Sequence, residues 1–158
     1  MIKNVLSIAG SDPSGGAGIQ ADIKAISANG AYAMAAITAL TAQNTQSVSG
    51  VHFIPASFVT DQIAAIFADI RVDAIKVGMI ANADIASVVA GILRHHIDVP
   101  VVLDPVMISK SGAPLLSQDA IATVRNALLP LATVLTPNLP EAAFFLGVLP
   151  ATTRDEMV

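Results

Sequence analysis

Cysteine is absent from this 158-residue chain, which removes disulfide stapling and every cysteine-based metal site at once. Charge is scarce too: Asp, Glu, Lys and Arg together make up 13% of the residues. Eight basic residues stand against twelve acidic ones, in no basic cluster, for a formal net charge of -4. That balance is poor electrostatics for a phosphate backbone and argues against a nucleic-acid partner. A free-standing surface is usually about a quarter or more charged. Part of this surface is therefore expected to be covered by another subunit or by further chain. Long apolar runs are also missing. Residues 25–60 hold no Asp, Glu, Lys or Arg, but Asn29, Thr38, Thr41, Gln43 and Asn44 interrupt any membrane-length stretch. The apolar run Val5–Ala9 is too short for a signal peptide, and Asp12 follows at once. A cytoplasmic chain with no membrane segment is the expectation. What is abundant is apolar residue: 54% of the sequence, enough to exclude intrinsic disorder and, at this length, to build one domain spanning residues 1–158.

Short β-branched runs alternate with helical patterns along the chain. Val5–Ala9 reads as a strand, residues 17–28 as a helix with Ile19, Ile23 and Ile26 on one face, and Asn29-Gly30 as its stop. Residues 31–40 read as one strand buried on both faces, and residues 48–54 as a shorter one. Residues 55–70 are helical, Ala74–Val77 a strand, and Asn82 the cap of a helix striped by Ile85, Val88, Val89 and Ile92. A strand over residues 99–103, a helix over 117–128, a strand over 133–135 and a helix over 139–146 complete the series. This alternation predicts an α/β fold, a mostly parallel central sheet with helices on both faces. The final residues, with Thr152 or Thr153 as a cap and Asp155 and Glu156 behind it, look like a helix start, so the domain reads as incomplete.

In open α/β sheets ligands bind beyond the carboxyl ends of the strands, and four loops there stand out. The first, Gly10 to Gly18, is glycine-rich, which lets backbone approach a ligand, although a tight turn needing positive φ explains it as well. It is neither a dinucleotide fingerprint nor a P-loop. Asp22 follows on the helix, about 60° from Ile19 and 40° from Ile26 on a helical wheel, at the edge of the buried stripe where a carboxylate can face a cleft. The second loop carries Gln43, whose amide offers acceptor and donors to a planar heterocycle. The third begins at Asp104, a carboxylate closing a buried strand and so in need of a partner or a metal, with Lys110-Ser111-Gly112 after it. In the fourth, Asn138 and Glu141 have capping-box spacing, yet Asp104 and Glu141 would also suit a hydrated Mg²⁺. His52, His95 and His96 lack metal-ligand spacing, and Met79 reads as core unless it flanks a flat ring.

Taken in order, the segment Ile8-Ala-Gly-Ser-Asp-Pro-Ser-Gly-Gly-Ala-Gly-Ile-Gln-Ala-Asp22, then Ile37 to Thr45, Lys76-Val77-Gly78-Met79, Asp104-Pro105-Val106-Met107 with Lys110-Ser111-Gly112, and Thr136 to Ala142 resemble the hydroxymethylpyrimidine/phosphomethylpyrimidine kinases of thiamine biosynthesis. The resemblance implies a ribokinase-like three-layer sandwich, usually a homodimer, that moves the γ-phosphoryl of ATP to the pyrimidine's hydroxymethyl group and then to the monophosphate. Carried over, it implies a pyrimidine pocket at Gly10, Ala17, Asp22, Gln43, Met79 and Val106. It implies a phosphate side at Asp104, Lys110, Asn138 and Glu141, with Asp104 and Glu141 toward Mg²⁺. The glycine-rich loop would then hold the acceptor rather than the nucleotide. The family pattern continues to a Gly-Thr-Gly-Cys segment that supplies the anion hole and the group activating the acceptor hydroxyl. This sequence has no cysteine, so no catalytic residue is expected in it, and substrate contacts without useful turnover are the expectation. Two alternatives stand beside this reading: a pyridoxal-kinase-like enzyme, and a catalytically silent pyrimidine-binding fragment.

Overall fold

The structure is a computed structural model and describes residues 1–107 and 118–157. Its centre is a parallel sheet. β1 (Asn4–Ala9) pairs on one side with β2 (Tyr32–Ile37), and on the other with β5 (Ala74–Val77). β6 (Val101–Leu103) follows β5, and β7 (Val134–Leu135) closes the order β2-β1-β5-β6-β7. The chain thus runs outward from β1 to β2, then returns past β1 to β5. The reversal puts a topological switch point between the carboxyl ends of β1 and β5, where open α/β sheets leave a crevice.

Strand alternation assigns the two faces. Leu6 and Ile8 of β1 are fully buried, in one cluster with Ile63 of α2 (Ala56–Asp69) and with Ile85 and Val89 of α3 (Ala83–Arg94). Ser7 points the other way and hydrogen-bonds Asp22 of α1 (Gly18–Ala28), so helices cover both sides of the sheet. Asn82 caps α3 as expected, its side chain accepting from the Ile85 N–H at 2.9 Å. α5 (Leu139–Leu146) starts at a capping box formed by Asn138 and Glu141 and stops at Gly147 in the left-handed region.

Three expectations need correction. Residues 31–40 are not one buried strand. The chain leaves the sheet at Thr38, whose N–H donates to Ala9 O (3.0 Å) and whose carbonyl accepts from the Ile54 N–H (3.0 Å). Beyond it, β3 (Ala39–Gln43) pairs antiparallel with β4 (Val48–Phe53) in a separate hairpin. An apolar run carries no information about such a turn-off, because Leu40, Val51 and Phe53 are 40–51% exposed on that hairpin. The helix expected over 117–128 is α4 (Gln118–Thr123) followed by a π-type turn at Val124–Leu128. Pro130 then sits in the short 3₁₀ turn Leu129–Leu131, having no N–H with which to continue an α-helical ladder. The strand at 99–103 begins only at Val101, since Pro100 has no ladder donor.

Candidate functional site

The loop after β1 is held shut by short polar contacts. The Asp12 carboxylate accepts from the Ser14 N–H (2.9 Å), the Ser14 hydroxyl (2.7 Å) and the Gly16 N–H (3.1 Å). Burial works against its charge, but Ser14 and the backbone N–H groups of Ala17 and Gly16 outweigh this and hold the carboxyl below its usual range. The Ile19 N–H, at the start of α1, donates to Gly10 O at 3.0 Å. That approach requires glycine at position 18: its φ is +55°, and a Cβ there would fall well inside contact distance of Gly10 O. Gly10 is less constrained: a Cβ on it would lie 2.5 Å from Met79 Cε, the mobile end of a side chain that can move aside.

The hairpin is stitched to this loop. The Ser11 N–H donates to Ala39 O (2.8 Å), and the Thr41 hydroxyl reaches both Ser11 O (2.9 Å) and Gln43 Oε1 (3.3 Å). Between the loop, the hairpin and the carboxyl ends of β1, β5 and β6 opens a cleft of about 580 Å³, a size typical of small-molecule sites. All six residues expected around a flat ring, Gly10, Ala17, Asp22, Gln43, Met79 and Val106, line it, and so does Asp104. Met79 is therefore not purely core, as its type alone suggests. Its carbonyl accepts from the Thr38 hydroxyl at 2.7 Å, which aims the strand end and the thioether at the cleft.

Two expected residues are not part of this wall. Asn138 and Glu141, expected on the phosphate side, cap α5: the Asn138 side chain accepts from the Glu141 N–H and Glu141 Oε2 accepts from the Asn138 N–H, both at 2.9 Å. Neither lines the cleft, although Glu141 is near enough for its charge to act on Asp104. Lys110 lies outside the described residues.

At the floor of the cleft sits a residue that sequence reasoning missed. The Lys76 ammonium lies 3.1 Å from Asp22 Oδ2 and 3.8 Å from Asp104 Oδ2, and the Ser7 hydroxyl donates to the same Asp22 oxygen at 2.6 Å. Gly78 makes the room: a Cβ there would lie 2.6 Å from Lys76 Nζ. The signal was available, because a lysine inside a four-residue apolar strand must find a buried partner.

Burial pushes the Asp104 carboxyl up, Lys76 pulls it down, and the charges of Glu141 and Asp22 push it up again, leaving it above its usual range. An acid whose folded-state pKa is raised costs the fold stability wherever it is ionised. Asp104→Asn should therefore raise the melting temperature at pH 7, and the gain should vanish below about pH 3.5, where the aspartate is protonated in both states. Thermal melts of both proteins across that range check this. Among the described residues no three His, Asp or Glu side chains gather as a metal cluster. Asp104 and Glu141 feel one another's charge, and carboxylates are the donor type that a hydrated cation such as Mg²⁺ takes, although one Glu141 oxygen is engaged in the α5 cap.

The profile of a family described as phosphomethylpyrimidine kinase matches residues 12–158. Over 155 residues the chain is 53% identical to the hydroxymethylpyrimidine/phosphomethylpyrimidine kinase of Escherichia coli K12, covering 98% of this chain and 58% of that one. The crystal structure of phosphomethylpyrimidine kinase from Clostridium difficile 630 superposes with a TM-score of 0.90 at 44% identity, covering 98% of this chain and 67% of that one. Pyridoxal kinase from Staphylococcus aureus in complex with AMP-PCP and pyridoxal superposes with a TM-score of 0.85 at 33% identity, covering 99% of this chain and 56% of that one. The chain thus spans somewhat more than half the length of the E. coli relative.

Proposed function

The chain belongs to the phosphomethylpyrimidine kinase family, and from that premise we propose that it supplies the acceptor cleft for ATP-dependent phosphorylation of 4-amino-5-hydroxymethyl-2-methylpyrimidine and then of its monophosphate, in the cytoplasm. One observation supports this above the others. The glycine backbone at Gly10, the Gln43 amide, the Met79 thioether and the Asp22 carboxylate line a single cleft at the switch point of the sheet. Glycine lets a flat ring lie against backbone, Met79 flanks it, and Gln43 pairs with its amino-pyrimidine edge. The Thr41 hydroxyl, whose shorter contact is to Ser11 O, lies 3.3 Å from Gln43 Oε1 and so sits beside the amide at the ring's edge.

In the first transfer the hydroxymethyl oxygen would bond to the γ-phosphorus as the bond to the ADP oxygen breaks, leaving ADP and releasing the hydroxyl proton to water. In the second, a phosphate oxygen of the monophosphate takes the hydroxyl's place. ATP with Mg²⁺ would supply the phosphoryl group and part of the charge neutralisation, and Asp104 and Glu141 are the residues that would hold the metal. The chain's own part is positioning, which carries much of the catalysis in phosphoryl transfer. The exposed Leu40, Val51 and Phe53 of the hairpin support a homodimer that covers them.

Titration calorimetry with the hydroxymethylpyrimidine tests the cleft. Gln43→Ala should weaken binding by roughly 1–3 kcal/mol, the cost of leaving a ring edge unpaired. Unchanged affinity would place the ring elsewhere. The likeness to the S. aureus enzyme makes pyridoxal the rival ligand, and tighter binding of pyridoxal than of the pyrimidine would favour a pyridoxal-kinase-like reading. Pyrimidine binding without detectable ATP binding would favour a silent binding protein.

A further inference from the structure

Lys76 is the one cation lining the cleft among the described residues, and it is placed among carboxylates at the cleft's inner end. An ammonium has three N–H donors. One is committed to Asp22 Oδ2 at 3.1 Å, while Asp104 Oδ2, at 3.8 Å, is an ion-pair neighbour beyond hydrogen-bonding length. The side chain is about one quarter exposed, so the head group faces the cleft rather than solid protein. Resting on the acceptor reading above, we propose that Lys76 is the specificity-determining residue that lets one site take first a neutral alcohol and then its phosphomonoester. For the alcohol the ammonium only holds Asp22. For the phosphomonoester it offers a spare N–H to a phosphate oxygen and offsets Asp22 and Asp104, which would otherwise repel the incoming dianion.

The two ligands separate because Asp22 has a second anchor. The Ser7 hydroxyl, at 2.6 Å, keeps its carboxylate oriented when the lysine charge is removed, so the neutral pyrimidine should hardly notice.

The test is calorimetry of Lys76→Met with the hydroxymethylpyrimidine and with its monophosphate. The expected result is a loss of about tenfold or more for the monophosphate against less than about threefold for the alcohol, a difference of ~0.7 kcal/mol or more. Lys76→Arg, which keeps the charge, should recover most of the monophosphate affinity. If Lys76→Met does not fold, Lys76→Gln carries the same comparison. Equal losses for the two ligands, or no loss for either, overturn the inference while leaving the acceptor reading in place. A wild-type protein that binds neither ligand overturns both.

Discussion

Gly18→Ala should cost roughly 2–5 kcal/mol of folding stability and abolish measurable pyrimidine binding. Two effects add. A non-glycine residue in the left-handed region costs ~1–2 kcal/mol, and forcing a Cβ against the Gly10 carbonyl is overpacking, worth typically ~1–3 kcal/mol. The loop can relieve the clash only by moving off Gly10 O, which breaks the bond from the Ile19 N–H and shifts the backbone on which the ring would rest. Gly30→Ala is the internal control. Its φ is +78°, yet nothing lies within 4 Å of the added Cβ. It should show the strain alone and leave binding intact. Urea unfolding and pyrimidine titration on both variants make the comparison. Equal costs for the two substitutions would mean that the close approach of Gly18 to Gly10 contributes nothing.

The second large effect is expected from Ile75→Ala. Ile75 is 1% exposed on β5, between β1 and β6, where its register partners are Leu6 and Val101. A large-to-small change in a core of this kind costs ~2–5 kcal/mol through lost burial and an unfilled cavity, a large share of the ~5–15 kcal/mol that holds a typical domain. Alternation puts Ile75 on the face opposite Lys76, so the cavity opens away from the cleft. Stability should fall steeply while ligand affinity, measured well below the new melting temperature, stays within about twofold, since uncoupled sites act independently. A matched loss of affinity would show that the cleft floor depends on packing on the other side of the sheet.

The two families of effect map onto what was legible in the sequence. Period-two apolar runs bounded by glycine located β1 and β5, and Asn82 marked the start of α3, because these signals are local. The cleft-lining residues were picked out by ordered motifs rather than by any single loop. Asp22 alone reads as well as a solvated helix acid, and its meaning appears only beside Ser7 and Lys76. Lys76 went unread for the same reason: its partners are 54 and 28 residues away in sequence, and no periodicity reports a long-range ion pair. Where the chain departs from the sheet at Thr38 was likewise invisible, because an apolar stretch is compatible with a central strand and with a half-exposed hairpin alike. The capping signature at Asn138 and Glu141, by contrast, was fully legible, because a capping box is local.

Thr38 joins features that are remote along the chain. Through its backbone it touches the end of β1 and the far end of the hairpin, and through its hydroxyl the carbonyl of Met79. The two jaws that would grip a flat ring, one carrying Gln43 and the other Met79, therefore share a single fully buried hinge pin. Their spacing is thus tied to the three hydrogen bonds of one residue. Such an aperture would sort ligands by thickness first and by edge chemistry second, as the two proposed guests, one ring with two different substituents, require.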